Sequence, residues 1–210
     1  MAARAWPGPW SESDLIARVV AGLADGGQLV VGNSLPIRVI DEVATSAAEL
    51  VVLTQRGAAG IDGLIAGAAG AAWATGRATT VVLGDVSFAH DVGSLAVVGD
   101  LPLTIVVVDN QGGHIFDDLP LAAAGVPAAT YAELWLTAPA IDPVALAAGF
   151  GLPAQRVRNP DDLPSPAPGP RLLHALVAAG GARATRAQAL ACLAAPPALA
   201  ASPLPQGATP

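Results

Sequence analysis

The chain has 210 residues, 53% of them hydrophobic, and a formal net charge of −7 at pH 7. This is enough for one sizeable core, so we predict one globular unit over residues 1–195 and a disordered Pro/Ala tail over 196–210. An acidic chain without a Lys/Arg cluster argues against a nucleic-acid partner. The lack of a recognisable signal peptide or bilayer-length apolar run, together with a single cysteine, favours a cytoplasmic protein without a membrane span.

Helices and strands are predicted to alternate along the chain. Ser11 to Asp14 has the spacing of a capping box, which predicts a helix start. The apolar runs are continuous, as in strands buried on both faces of a parallel sheet. The predicted strands are 28–32, 50–54, 79–84, 103–108 and 171–178. The last segment could be a strand or a helix by its periodicity, and the topology favours a strand. The predicted helices are 14–23, 36–44, 61–74, 87–98, 130–136, 142–149 and 184–195. This order predicts an α/β fold with a doubly wound, mainly parallel sheet flanked by helices.

Polar residues end two of these strands. Gly84 and Asp85 follow the run TTVVL, and DNQGG (109–113) follows LTIVVV. Asp85 and Asn110 are 25 positions apart. This is close to one helical crossover plus a strand, so a right-handed βαβ unit would place both residues at the carboxyl edge of the sheet. A carboxylate, an amide oxygen and a backbone carbonyl suit Mg²⁺ with a diphosphate, whereas the alternative is an ordinary polar turn.

Four ordered blocks carry a family resemblance: GNSLPIR (32–38), QRGAAGIDG (55–63), GDVSFAHD (84–91) and VVVDNQGGHIFDDLP (106–120). A GD pair followed some 25 residues later by an Asn-containing, Gly-rich turn resembles the cofactor motif of thiamine diphosphate enzymes. Together the blocks resemble 2-succinyl-5-enolpyruvyl-6-hydroxy-3-cyclohexene-1-carboxylate (SEPHCHC) synthase of menaquinone biosynthesis. The resemblance is confined to its C-terminal, diphosphate-binding domain, and it implies that residues 1–195 form this thiamine diphosphate-binding fold.

The resemblance also implies roles for individual residues. Asp85, the Asn110 side chain and the Gly112 carbonyl would hold Mg²⁺, or Mn²⁺ in its place. Other cofactor contacts would come from Ser34, Ile61, Gly84, Ser87 and Gly113, with Ile61 supporting the bent cofactor and Ser87 lying against the diphosphate.

Substrate contacts are implied as well. Arg38 and Arg56 would bind substrate carboxylates, a role suited to the forked donors of a guanidinium group. The alternative for these arginines is a local ion pair with Asp41 or Asp62. The residues expected on the substrate side are Ile115 and Phe116.

The implied reaction joins decarboxylated 2-oxoglutarate to isochorismate. Its activating glutamate belongs to a pyrimidine-binding domain that has no match in this sequence, so no catalytic residue is assigned here. The expectation is therefore a domain that needs a pyrimidine-domain polypeptide, within a homo- or hetero-oligomer. The alternatives are a fragment or non-catalytic relic that keeps the fold, and another thiamine diphosphate-dependent 2-oxoacid decarboxylase or synthase.

Three positions depart from the family pattern: Gln55, Ala59 and Asp109 stand where Asn, Ser and Asn are usual. A carboxylate at Asp109 would repel a diphosphate unless it faces the metal or solvent.

The histidines and tryptophans are mostly expected to be structural. We interpret His90 as a packing residue beside a structural Asp91, and His174 as structural, and we place His114 within reach of the site. Core packing is expected for Trp6, Trp10, Trp73 and Trp135.

Overall fold

The computed structural model describes residues 10–44, 49–55, 60–120 and 124–194, except for the side chains of 192–194. The α-helices are α1 (Glu12–Ala21), α2 (Leu35–Val43), α3 (Leu64–Thr75), α4 (Asp85–Asp91), α5 (Ala128–Tyr131), α6 (Pro143–Gly149) and α7 (Gly181–Ala194). The strands are β1 (Gln28–Val31), β2 (Val51–Thr54), β3 (Thr79–Gly84), β4 (Leu103–Asp109), β5 (Ala154–Val157) and β6 (Arg171–Leu176). Short 3₁₀ segments occur at Val92–Val97, His114–Asp118 and Pro160–Asp162, and a π-helical turn at Ala132–Leu136.

The six strands form one parallel sheet in the order β2-β1-β3-β4-β6-β5. The chain moves outward from β1 in one direction to β2, and from β3 in the other direction to β4. The order of the strands therefore reverses between β1 and β3, which is where ligands bind in doubly wound sheets. The predicted α/β fold is confirmed.

Successive residues of the central strands face opposite layers of helices. On β4, Val106 and Val108 pack in one cluster with residues of α1 and α2, such as Leu15 and Val39. Ile105 and Val107 pack in the other cluster, which includes residues of α3, α4 and α6. Both faces are buried, and this explains why the strand sequences are continuously apolar instead of alternating.

The structure corrects several sequence predictions. Strand β2 lies at the sheet edge and is exposed, with Val52 at 46%, although its apolar sequence predicted burial. Strand β5 was not predicted. Helix α1 begins at Glu12, but the capping box is wrong, because Ser11 makes no cap hydrogen bond and its hydroxyl lies 3.4 Å from that of Thr185.

The tryptophans differ from the expected core packing. Trp73 is 78% exposed, so the expectation was wrong for this residue. Trp135 stacks on Tyr131 with a centroid distance of 5.9 Å. Trp6 and the tail 196–210 lie outside the described residues. Among the helices that are described, none combines the length and apolarity that a membrane crossing requires.

Candidate cofactor site at the carboxyl edge of the sheet

A cleft opens at the carboxyl edge of β1, β3 and β4. Its walls come from the start of α1 and from the segments that follow these three strands. The lining residues are Glu12, Ile16, Ser34, Leu35, Pro36, Gly84, Asp85, Val86, Ser87, Val108, Asn110, Gly112, Gly113, His114 and Ile115. The cleft therefore lies where the strand order reverses.

Asp85 joins the two sequence motifs. Its Oδ1 accepts a hydrogen bond of 2.8 Å from Val86 N, and its Oδ2 accepts one of 2.8 Å from Gly112 N. The side chain lies at the first turn of α4 and is buried. Burial, with a smaller contribution from the nearby charge of Asp109, raises its pKa to about 6. The site thus holds a desolvated carboxylate whose charged form a cation would stabilise.

Asp109 is held by a histidine, a partner that the sequence did not predict for it. Its Oδ2 lies 2.7 Å from His174 Nε2 on the adjacent strand β6, and its Oδ1 accepts a bond from Gln111 N. The hydrogen bond with His174 lowers the pKa of Asp109, against the opposing effect of burial. His174 thereby favours the charged form of Asp109, and this charge contributes to the raised pKa of Asp85.

Asn110 is buried at the end of β4, and its amide has a defined partner. Asn110 Nδ2 donates to Glu12 Oε1 at 2.7 Å. The amide nitrogen is therefore occupied, and Oδ1 is the atom of this side chain left to act as a ligand.

The DNQGG turn needs its two glycines. Gly112 has φ +118, and a Cβ there would collide with the backbone oxygen of Leu136. A Cβ on Gly113 would lie 2.5 Å from Trp135 O, and Gly113 N donates to Leu136 O at 2.6 Å. The π-helical turn packs against the loop at backbone distance, which only glycine allows.

Two non-glycine residues at this edge adopt left-handed backbone angles. Ser34, which lines the cleft after β1, has φ 73, and Gln111 has φ 69. Such conformations cost on the order of 1–3 kcal/mol each and concentrate at functional sites. Both strained positions therefore lie beside the cleft.

Most of the residues predicted to bind cofactor or substrate lie together. Ser34, Gly84, Asp85, Ser87, Asn110, Gly112, Gly113 and Ile115 all line the cleft. Three other predicted residues, Arg38, Ile61 and Phe116, are not among the residues that line the cleft. Arg38 is exposed and donates through Nη1 to Ser34 O at 2.6 Å, Ile61 is half-buried, and Phe116 is 36% exposed. Arg56 and Ala59 lie outside the described residues.

Glu12, which is 1% exposed in the cleft wall, was not predicted as a site residue. In the sequence it stands only as part of the supposed capping box. The one local signal is an acidic residue at a helix start, and this is too common to indicate a site. Its contact with Asn110 spans 98 residues.

The DVSFAHD block also has a structural function. Asp91 Oδ1 accepts from Gly63 N at 2.9 Å and from Ser94 Oγ at 2.6 Å, and Oδ2 accepts from Ile65 N at 2.6 Å. Asp91 therefore binds backbone N–H groups at the start of α3, and His90 is exposed. The structural interpretation holds for Asp91, whereas the expectation that His90 packs is wrong, because its side chain is exposed.

The donor set fits a divalent cation with a diphosphate. Asp85, the Asn110 amide and the Gly112 backbone are adjacent, the amide nitrogen is turned to Glu12, and the glycine-lined loop leaves no Cβ in the way. Carboxylate, amide and carbonyl oxygens are the ligands that Mg²⁺ accepts, with phosphate oxygens and water completing its shell.

Comparison with known proteins gives relatives for this architecture. Residues 44–167 match the family described as thiamine pyrophosphate enzyme, C-terminal TPP binding domain. The SEPHCHC synthase of Sorangium cellulosum is 43% identical over 171 residues, which cover 77% of this chain and 27% of that protein. The SEPHCHC synthase of Shewanella amazonensis is 46% identical over 117 residues, 54% of this chain and 20% of that protein. This chain thus matches about a quarter or less of the length of these two relatives.

A solved structure supports the fold. Benzoylformate decarboxylase from Polynucleobacter necessarius superimposes with a TM-score of 0.62 at 17% identity, over 79% of this chain and 33% of that chain. At this identity the likeness concerns the fold alone. The family match and the similarity to the synthases confirm the resemblance stated from the sequence: the chain belongs to the thiamine pyrophosphate enzyme family, as a C-terminal TPP-binding domain.

Proposed function

We propose that this chain is the diphosphate-binding part of a SEPHCHC-type synthase, which joins decarboxylated 2-oxoglutarate to isochorismate. The relatives at 43% and 46% identity carry this name. The observation that carries the proposal is the hydrogen bond from Gly112 N to Asp85 Oδ2, which brings the two cofactor motifs together.

In the proposed site, Asp85, Asn110 Oδ1 and the Gly112 carbonyl would hold Mg²⁺, which would neutralise the charge of the cofactor's diphosphate. Ser34, Gly84, Ser87 and Gly113 are the other cleft residues assigned to the cofactor. The chemistry that thiamine diphosphate supplies when bound is a carbanion able to attack the carbonyl of a 2-oxo acid. The buried Asp85 contributes the negative charge that fixes the cation, and the glycine turn lets the backbone approach the diphosphate.

The remaining assignments concern Ile115, which lines the cleft, and residues that are not among its described lining. Ile61 is assigned to the support of the cofactor, and Ile115 and Phe116 to the substrate side. Arg38 and Arg56 are assigned to the carboxylates of the two polyanionic substrates. Since Arg38 contacts only Ser34 O among its described hydrogen bonds and is exposed, its guanidinium group is accessible to an anion. A pyrimidine-binding domain from elsewhere would supply the activating glutamate and close the site.

Calorimetric titration tests the cofactor site. The chain is titrated with thiamine diphosphate and Mg²⁺, alone and with a candidate pyrimidine-domain polypeptide. We expect binding that requires Mg²⁺, is strengthened by the partner, and falls at least about 100-fold in Asp85→Ala, which loses a charged metal ligand. Asp100→Ala, at an exposed turn, is the matched control and should bind like the unaltered chain.

Turnover distinguishes the alternatives. Consumption of 2-oxoglutarate with isochorismate by the mixture supports the synthase, and preferential turnover of pyruvate supports another 2-oxoacid enzyme. If no mixture binds cofactor or turns over substrate, the split-enzyme proposal is wrong and a non-catalytic relic is the better description.

A further inference from the structure

Glu12 is a buried acid that the proposed cofactor chemistry does not use. It is 1% exposed, although glutamate is among the residues least often buried, and it lines the same cleft as Asp85 and Asn110. Burying a carboxylate costs several kcal/mol, on the order given for single ions in proteins, unless its partners offset the cost. A carboxylate in this position therefore calls for a function that an apolar side chain could not perform.

The contact with Asn110 defines the direction of the amide. A carboxylate oxygen only accepts hydrogen bonds, so the Asn110 atom that lies 2.7 Å from Glu12 Oε1 must be the nitrogen. The opposite end of the amide, Oδ1, is then turned away from Glu12. An amide that rotated by half a turn would present N–H groups, which cannot bind a cation.

Glu12 lies in a closely packed part of the cleft wall. Ala178 N donates to Trp10 O at 3.1 Å, which ties the segment before α1 to the loop after β6. At the start of α7, a Cβ on Gly181 would lie 3.2 Å from Glu12 Oε2. Oε2 is buried and has no hydrogen-bond partner among the described residues. The carboxylate thus has little room to move, and its single described hydrogen bond is the one to Asn110.

We propose that Glu12 is a positioning residue that fixes the Asn110 amide with Oδ1 toward the cation position. The inference rests on the proposed cofactor site for its consequence, but the orientation of the amide can be measured without any ligand. The proposal depends on the distance between the acceptor oxygen of residue 12 and Asn110 Nδ2, because only an acceptor within hydrogen-bond distance orients the amide.

Two variants separate the effect of the position of the acceptor oxygen from the effect of its negative charge. Glu12→Gln keeps an acceptor oxygen at the same length and loses the charge. Glu12→Asp keeps the charge and withdraws it by one methylene. The same pair of changes at Glu49, which is exposed before β2, is the matched control. Circular dichroism and thermal unfolding establish that each variant is folded.

The first readout is the side-chain amide of Asn110 in the full chain. The chain contains three asparagines, Asn33, Asn110 and Asn159, so ¹⁵N-asparagine labelling gives a simple spectrum, assigned with Asn110→Ser. We expect slow solvent exchange of one Asn110 amide proton in the unaltered chain and in Glu12→Gln, and at least about tenfold faster exchange in Glu12→Asp.

The second readout is Mn²⁺ affinity in the presence of thiamine diphosphate, followed by electron paramagnetic resonance. Loss of a hydrogen-bond partner of a metal ligand weakens metal binding about 10- to 100-fold, so this loss is expected for Glu12→Asp. Glu12→Gln should stay within about threefold of the unaltered chain, since the acceptor remains.

The outcomes are separable. The inference is overturned if Glu12→Asp leaves the Asn110 amide protected, or if Glu12→Gln weakens Mn²⁺ binding more than Glu12→Asp does, which would indicate a purely electrostatic effect. If the unaltered chain binds no Mn²⁺ with thiamine diphosphate, alone or with a pyrimidine-domain partner, the proposed function fails, and amide exchange alone decides the orientation by Glu12.

Discussion

Gly112 N donates a hydrogen bond of 2.8 Å to Asp85 Oδ2 across 27 residues of sequence. The bond joins the first turn after β3 to the loop after β4, so the two motifs form one structural unit. Its geometry depends on a backbone angle that glycine adopts without cost. Substitutions in this unit and in the interactions that support it should therefore have measurable effects.

Gly112→Ala should destabilise the chain and distort the loop. The added Cβ collides with Leu136 O, and a non-glycine residue at φ +118 is strained. We expect a loss of about 2–5 kcal/mol in the free energy of unfolding, from the backbone angle and the overlap together. Urea denaturation measures it.

Gly125→Ala is the control for the backbone angle alone. Gly125 has φ +74, and among the described residues nothing lies within 4 Å of the position that an added Cβ would take, so a loss of about 1 kcal/mol is expected. Equal losses for the two variants would mean that the contact between the loop and the π-helical turn is unimportant.

Asp91→Ala should cost about 2–4 kcal/mol of folding free energy, because two backbone N–H groups at the start of α3 and the Ser94 hydroxyl lose their acceptor. Asp91→Asn retains one acceptor oxygen and should lose less. Asp100→Ala, at an exposed turn, should stay within about 0.5 kcal/mol of the unaltered chain. If Asp91→Ala matches this control in thermal unfolding, the capping interaction does not stabilise the fold.

Tyr131 should ionise at unusually high pH. Burial and the hydrogen bond of 2.8 Å that its hydroxyl donates to Asp117 Oδ1 raise its pKa to about 12. Since the folded-state pKa lies above the ordinary value of 10.0, the stabilisation is complete below about pH 10 and is lost as the pH rises through about 12.

This prediction is easily measured because Tyr131 is the one tyrosine of the chain, so phenolate absorbance reports it alone. Asp117→Asn should move the midpoint toward that of the chain in denaturant. A midpoint near 10 in the unaltered folded chain would contradict the contact between Tyr131 and Asp117.

Asp109 and His174 should be energetically coupled. Their side chains are 20% and 6% exposed and lie 2.7 Å apart, so a double-mutant cycle with Asp109→Asn and His174→Leu should give about 1 kcal/mol at neutral pH. Because the pKa of Asp109 is lowered in the folded state, its contribution to folding stability is fully present above the ordinary pKa of 3.8. This stabilisation is lost as the pH falls through the folded-state pKa.

The exposed pair Arg156–Asp142 provides a matched cycle, and its coupling should be smaller because water screens both charges. A larger coupling in this exposed pair would mean that burial does not strengthen the interaction between Asp109 and His174.

Much of the fold could be predicted because each element has a local pattern. The continuous apolar runs of β1, β3 and β4 indicate strands covered on both faces, and this feature depends only on nearby residues. The local periodicity of β6 fits a strand or a helix, and the strand was preferred from the topology. Strand β5 was missed because AQRV contains two polar residues, and it forms by pairing with β6 at the edge of the sheet. The exposure of β2 was missed because apolar composition does not reveal which strands are covered.

By itself, the sequence determined that Asp85 and Asn110 would meet, since a right-handed crossover between adjacent parallel strands leaves both at the same edge. Only the tertiary structure decided what surrounds them. Glu12 reaches the Asn110 amide across 98 residues, and His174 reaches Asp109 across 65, through the packing of α1 and the pairing of β6 with β4. Such contacts depend on how whole elements pack, and no local spacing of residue types encodes that arrangement.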